Sequence, residues 1–139
     1  MTSQVLHSQA LSTIPPRKIK EALLQTIQDC QECKEKAAKL DSCCNKCRIF
    51  NDAIKRYAEA NIPVRYWKLS MNNFLGDQIL LEKYNEVAND LKLSYNNGIS
   101  FCFAGTHGCG KTMTATNILK RAVEKIYSAL YITLGDVVA

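Results

Sequence analysis

The chain has 139 residues, 47% of them hydrophobic and 22% charged, with 18 Lys and Arg against 13 Asp and Glu for a net charge of +5. That length fits one ordinary domain, or a small module joined to part of a larger one, and the mild basicity permits a nucleic-acid partner without requiring one. No run of about 18 apolar residues occurs, which excludes a membrane-spanning helix, and Met1 to Pro16 lacks the apolar core of a secretory signal, so a cytoplasmic setting is expected.

In chain order, residues 1–16 read as a flexible leader ending at Pro15-Pro16. Residues 17–29 carry Ile19, Leu23 and Ile27 with charges between them, which predicts a short helix. Seven cysteines without a secretory signal argue against a disulfide framework, and an odd count fits one poorly. Four of them form two Cys-x-x-Cys pairs, Cys30/Cys33 and Cys44/Cys47, ten residues apart. Each pair can turn two thiolates toward one ion, and two pairs supply the closed tetrahedral shell of a structural Zn²⁺ site. Cys43 stands beside Cys44 as an alternative ligand or a free thiol.

Residues 48–60 predict a second helix, stopped at Asn61-Ile62-Pro63 because Pro63 pushes Ile62 out of the helical region. A small helical zinc module thus spans 17–60. Lys34, Lys36, Lys39, Lys46, Arg48, Lys55 and Arg56 surround the cysteines, but Asp29, Glu32, Glu35 and Asp41 interleave. That pattern favours a solvated charged face over direct nucleic-acid contact by this module. Residues 61–76 read as a linker, within which Tyr66 and Trp67 either pack onto the core or contact a ligand. From 77 onward an ATPase-like domain is expected. Asp77 is a plausible N-cap for a helix running to about Ser94, with Leu80, Leu81, Tyr84, Val87, Ala88 and Leu91 on its apolar face. Asn96-Asn97-Gly98 predicts a turn.

The apolar run Ile99 to Ala104 predicts a buried strand, with Cys102 as a small core filler. Gly105-Thr106-His107-Gly108-Cys109-Gly110-Lys111-Thr112 then matches the phosphate-cradling pattern G-x-x-x-x-G-K-[ST] in full. The glycines allow backbone angles that a Cβ forbids. Loop N–H groups and the N-terminus of the next helix can then face a phosphate. Lys111 is expected to reach the β- and γ-phosphates of ATP, Thr112 to ligate Mg²⁺, and Met113 to be among the nucleotide-binding residues. His107 and Cys109 are expected to contribute backbone N–H only, and Thr106 belongs to the same nucleotide-binding stretch. Ala115, Ile118, Leu119, Ala122, Val123 and Ile126 form a helical stripe after the loop, and residues 130–134 predict a second strand.

The order of these motifs carries a resemblance. Ile62-Pro63-Val64-Arg65-Tyr66 and Asn73-Phe74, after a cysteine module and before a helix, a strand and the phosphate loop, look like the corresponding stretch of DnaC/DnaI-type helicase loaders. The similarity covers roughly Cys30 to Leu134, and the IstB transposition ATPases share the nucleotide core. It implies an α/β fold, the N-terminal part of a P-loop NTPase (AAA+) core, preceded by the helical four-cysteine zinc module. It also implies ATP, Mg²⁺ and Zn²⁺ as cofactors, a replicative helicase and single-stranded DNA as partners, and homo-oligomers. Ile62-Pro63 and Tyr66 would lie near the adenine.

The chain departs from that family in one respect. No Walker B pair, sensor residue or arginine finger can be found, and Asp136, 25 residues after Lys111 and without an acidic neighbour, fits better as a helix cap. The sequence therefore reads as part of a longer protein that binds zinc and nucleotide with little hydrolysis of its own. No catalytic residue is assigned. The other readings are a zinc-dependent adaptor or nucleic-acid-binding module with a nucleotide-responsive loop, an IstB-like transposition ATPase and, more weakly, a small-molecule kinase.

Overall fold

The computed structural model describes residues 13–138, so the expected leader up to residue 12 lies outside the described residues. Among those described, every regular element is helical: α1 (Pro16–Asp29), α2 (Gln31–Glu35), α3 (Asn45–Glu59), α4 (Gln78–Asn89), α5 (Leu91–Asn96), α6 (Lys111–Glu124) and α7 (Leu134–Val138). Two single turns of 3₁₀ helix, Val64–Tyr66 and Met71–Asn73, punctuate the linker. No helix here is long and apolar enough to cross a membrane.

The core lies where α1, α3, the linker and α6 meet. Leu23, Ile54, Tyr57, Ala58, Ala60, Ile62, Trp67 and Val123 form one buried cluster. Burial of Ile54, Ile62 and Trp67 stabilises by about 1.5–3 kcal/mol each. Trp67 also satisfies its indole N–H on the Ile62 carbonyl at 2.7 Å. Lys120 of α6 is buried and donates to the Tyr66 and Leu69 carbonyls at 3.0 and 2.5 Å. It also lies over the Tyr57 ring, whose hydroxyl donates to Glu124. The linker is thereby fastened to α6, and α6 to α3.

Four helices end in one way. After α2, α3, α5 and α6 a residue takes positive φ: Ala37, Asn61, Gly98 and Ile126. In each, the next amide reaches back to the third carbonyl from the helix end: Ala38 to Cys33 (2.9 Å), Ile62 to Tyr57 (3.0 Å), Ile99 to Ser94 (3.0 Å) and Tyr127 to Ala122 (3.0 Å). This left-handed cap satisfies carbonyls that the helix leaves free. Gly98 and Asn61 suit it, whereas a β-branched Ile126 is sterically strained there.

The α/β fold expected from the sequence is not what forms. Neither predicted strand is a strand, and no sheet exists among the described residues. Residues 99–104 run in an irregular path and are mostly exposed, Ile99 at 47% and Phe101 at 43%, with Cys102 exposed rather than filling a core. The second predicted strand bonds to the end of α3 instead: the Tyr131 amide donates to Ala60 at 2.7 Å and Asn61 Nδ2 donates to the Tyr131 carbonyl at 3.2 Å. A strand exists only when its backbone groups are paired laterally, and these two segments do not pair with each other. Leu134 even begins a helix. Thr133 and Asp136 cap each other, the Asp136 carboxylate accepting from the Thr133 amide (2.9 Å) and the Asp136 amide donating to Thr133 Oγ1 (3.2 Å).

Two further corrections concern helices. The helix expected from 77 to 94 divides at Asp90, whose carboxylate accepts from the Leu93 amide at 3.1 Å and caps α5. Asp77 does cap α4, accepting from Ile79 at 2.8 Å. On α6 the buried residues are Thr114, Thr116, Asn117, Lys120 and Val123, so only Val123 of the apolar stripe is buried and Ile126 is 80% exposed. Without a sheet to cover it, that stripe is left mostly half-buried, with Leu119 packed against the main core.

Candidate metal centre and phosphate loop

Both Cys-x-x-Cys pairs are built on one local geometry. Cys30 is the N-cap of α2 with Cys33 three residues in, and Cys44 is the N-cap of α3 with Cys47 three residues in. N-cap and third helical position face the same side of a first turn, so each pair presents two thiols together. Each also places them at the positive end of a helix, which favours thiolate. The tight cap at Ala37 reverses the chain so that the two helix ends meet.

The four Sγ atoms of Cys30, Cys33, Cys44 and Cys47 lie within 4.8 Å of one another. Cys30 to Cys44 and Cys33 to Cys47 are both 3.8 Å. A tetrahedron with Zn–S bonds of about 2.3 Å has edges of about 3.8 Å. The spacing is far too long for disulfides, and all four are free thiols. The Cys44 amide points at Cys33 Sγ at 3.3 Å, a contact that steadies an anionic sulfur and orients it toward an ion. Cys43 lies outside the cluster, its thiol directed to the Leu40 carbonyl at 3.5 Å.

The thiols respond unequally. The backbone N–H of Cys33 and the Cys47 thiol pull Cys30 down to about 7. Burial, then the surrounding thiols, pushes Cys47 up. Four thiolates this close require a cation to be stable together, and the donor set suits a soft, tetrahedral one. The cluster could hold a metal ion such as zinc. Two of its members, Cys33 and Cys47, form with Ile27 a small buried cluster separate from the main core.

The phosphate loop keeps its glycine geometry although the expected strand before it is absent. Gly108 and Gly110 have φ of 80° and 99°, and Gly110 is the N-cap of α6. Lys111 Nζ is folded back into the loop, donating to the Gly105 and Thr106 carbonyls at 2.7 Å each and lying 3.6 Å from Cys109 Sγ. The loop therefore closes around its own ammonium. Thr112 is exposed in the first turn of α6, and His107 is exposed at the tip. Met113 is half-buried and uses its carbonyl to accept from Thr116 and Asn117. Ile62 is fully buried, so its side chain offers no surface to a base, and Trp67 serves packing.

Sequence reasoning missed the contact between linker and loop. The Asp77 amide donates to the Cys109 carbonyl at 3.0 Å. The ring of Phe74 lies against Gly110 and Gly76, where a Cβ on either glycine would overlap it. The signal is a Gly-Asp pair soon after Phe74, which is legible in the sequence only as a helix cap.

Compared with known proteins, the chain matches no protein-family model, no curated protein and no solved structure.

Proposed function

We propose that this chain is a zinc-stabilised module joined to a nucleotide-binding loop. The observation that carries the zinc assignment is the four-sulfur cluster, whose 3.8 Å contacts equal the edge of a Zn–S tetrahedron. With no side left open for water, the ion would be structural. It would hold the end of α1, α2 and the start of α3 in register, and the chemistry it supplies is charge neutralisation of the thiolates.

The loop supports ATP with Mg²⁺ as its ligand. Lys111 is already directed into the loop, Gly108 and Gly110 hold the positive φ that a phosphate cradle needs, and Thr112 has its hydroxyl at an exposed helix start. The setting we propose is DNA replication, with a replicative helicase and single-stranded DNA as partners. It is supported by the order of the cysteine, linker and loop motifs. It is also compatible with a groove of about 1130 Å³ beside the cysteine cluster, which includes Phe50, Trp67, Lys46 and Arg56 in its lining.

The test has separable parts. Zinc released by a thiol reagent and counted against protein is expected at one ion per chain, and a ratio near zero after purification under reducing conditions with zinc would remove the metal reading. Binding of a fluorescent ATP analogue is expected to need Mg²⁺ and to be lost in Lys111→Ala. Binding to neither a replicative helicase nor single-stranded DNA, with zinc and ATP present, would remove the replication setting while leaving the two ligand assignments intact.

A further inference from the structure

The phosphate loop is not held equally at its two ends, and we propose that Phe74, together with the Asp77 backbone, is the positioning element that sets this loop for phosphate. The inference rests on the nucleotide reading above. At the helix end, both peptide planes around Gly110 are anchored. The Cys109 carbonyl accepts from the Asp77 amide at 3.0 Å, and the Gly110 carbonyl accepts from the Thr114 amide and hydroxyl at 2.9 and 2.8 Å.

A trans peptide is planar, with its N–H antiparallel to its C=O. Fixing the Cys109 carbonyl toward Asp77 therefore directs the Gly110 N–H away from the linker. Fixing the Gly110 carbonyl does the same for the Lys111 N–H relative to α6. These are donors that a phosphate at the start of α6 would meet.

Phe74 is what keeps the linker on the loop. A Cβ built on Gly110 would lie 2.8 Å from Phe74 Cζ, and one on Gly76 would lie 2.9 Å from Phe74 Cε2 and would also overlap the Cys109 carbonyl. One ring edge thus sits between the two glycines, and their missing side chains are the space that it uses. At the other end the loop is tied less firmly. Among the described residues, Gly105 and Thr106 are held by Lys111 Nζ and by a long 3.4 Å bond from the Cys109 amide to the Thr106 carbonyl. A phosphate that draws Lys111 away frees the 105–108 end while the 109–111 end keeps its shape. Phosphate affinity then depends on a residue 36 positions before Gly110 that never touches the ligand.

The experiment uses the zinc-loaded chain and two probes, N-methylanthraniloyl-ATP and inorganic tripolyphosphate as its competitor. Phe74→Ala is expected to weaken both by about tenfold, since small misplacements of a binding group carry losses of that order or more. Phe74→Leu, which keeps an apolar side chain against the two glycines, is expected to recover most of the loss. Amide hydrogen exchange over residues 106–111 of the ligand-free Phe74→Ala protein should rise while residues 31–47 stay protected. Unchanged affinity, or loop exchange unchanged from wild type, would overturn the proposal, as would rising exchange across the whole chain, which marks unfolding instead. If wild type binds neither probe, the nucleotide reading fails, and the exchange comparison alone then decides whether Phe74 holds the loop.

Discussion

Removing the metal from the four-cysteine cluster should melt one part of the molecule and leave the rest. Residues 30–44 contain α2, which is only five residues long, and a turn. A helix that short is far below the length at which isolated helices persist in water. Ordering these 15 residues costs at least about 15 kcal/mol in backbone entropy. The buried side chains nearby are Ile27, Cys33 and Cys47, and their burial offsets at most about 6 kcal/mol. The shortfall of about 9 kcal/mol is close to the lower end of the apparent binding free energy of structural zinc, about 10–16 kcal/mol. The main core, which includes Leu23, Ile54, Tyr57, Ala58, Ile62, Trp67 and Val123, shares no buried residue with that cluster. Hydrogen exchange after treatment with a strong zinc chelator should therefore show residues 31–48 losing protection while α6 and the C-terminal half of α3 keep theirs. Protection retained over 31–48 would mean that apolar contacts alone hold the module, and simultaneous loss everywhere would mean that the two cores are one.

Three other outcomes are expected. Cys44→Ser should reduce bound zinc sharply while Cys43→Ser leaves one ion per chain, measured by metal release; equal losses would return Cys43 to the ligand set. Ile126→Gly should raise stability by about 1 kcal/mol in urea unfolding, because it removes a β-branched residue from a left-handed cap at the loss of a mostly exposed side chain, whereas Asn61→Gly should lower it, because Asn61 bonds Thr13 and Tyr131. Burial, and then Glu124, holds the Tyr57 phenol above its usual value of 10.0, so its contribution to stability is full below pH 10 and is lost as pH rises further; Tyr57→Phe should flatten that alkaline loss, and an identical pH profile would mean that Tyr57 ionises freely.

The parts of this fold that could be read from sequence are those with local causes. The paired cysteine spacing marks the sulfur cluster, though not the helix starts at Gln31 and Asn45 that carry it; the stop at Asn61-Ile62-Pro63 falls just after α3 ends at Glu59; and Asp77 caps α4 as its position suggests. The failures depend on what a segment meets in space. Ile99 to Ala104 has the composition of a buried strand, but burial and pairing are supplied by neighbours, and none is there among the described residues. Leu130 to Leu134 fails for the opposite reason: a local capping pair, Thr133 and Asp136, turns its end into a helix. Asp90 escapes a sequence reading because an apolar stripe continuing across it hides a cap within a helix pattern.

The same distinction separates the two candidate sites. The four-cysteine cluster draws its shape from two helix starts and one tight cap, so sequence spacing pointed to it, while the choice of Cys44 over Cys43 came only from the structure. The phosphate loop draws its shape from elsewhere: Phe74 and Asp77 in the linker fix Cys109 and Gly110, while Lys120 and Glu124 fasten α6 to the linker and to Tyr57 of α3. The loop motif specifies which backbone angles are possible, and these distant contacts select among them. Helix α6 consequently begins at the loop and ends against the helix that carries Cys47 and is capped by Cys44.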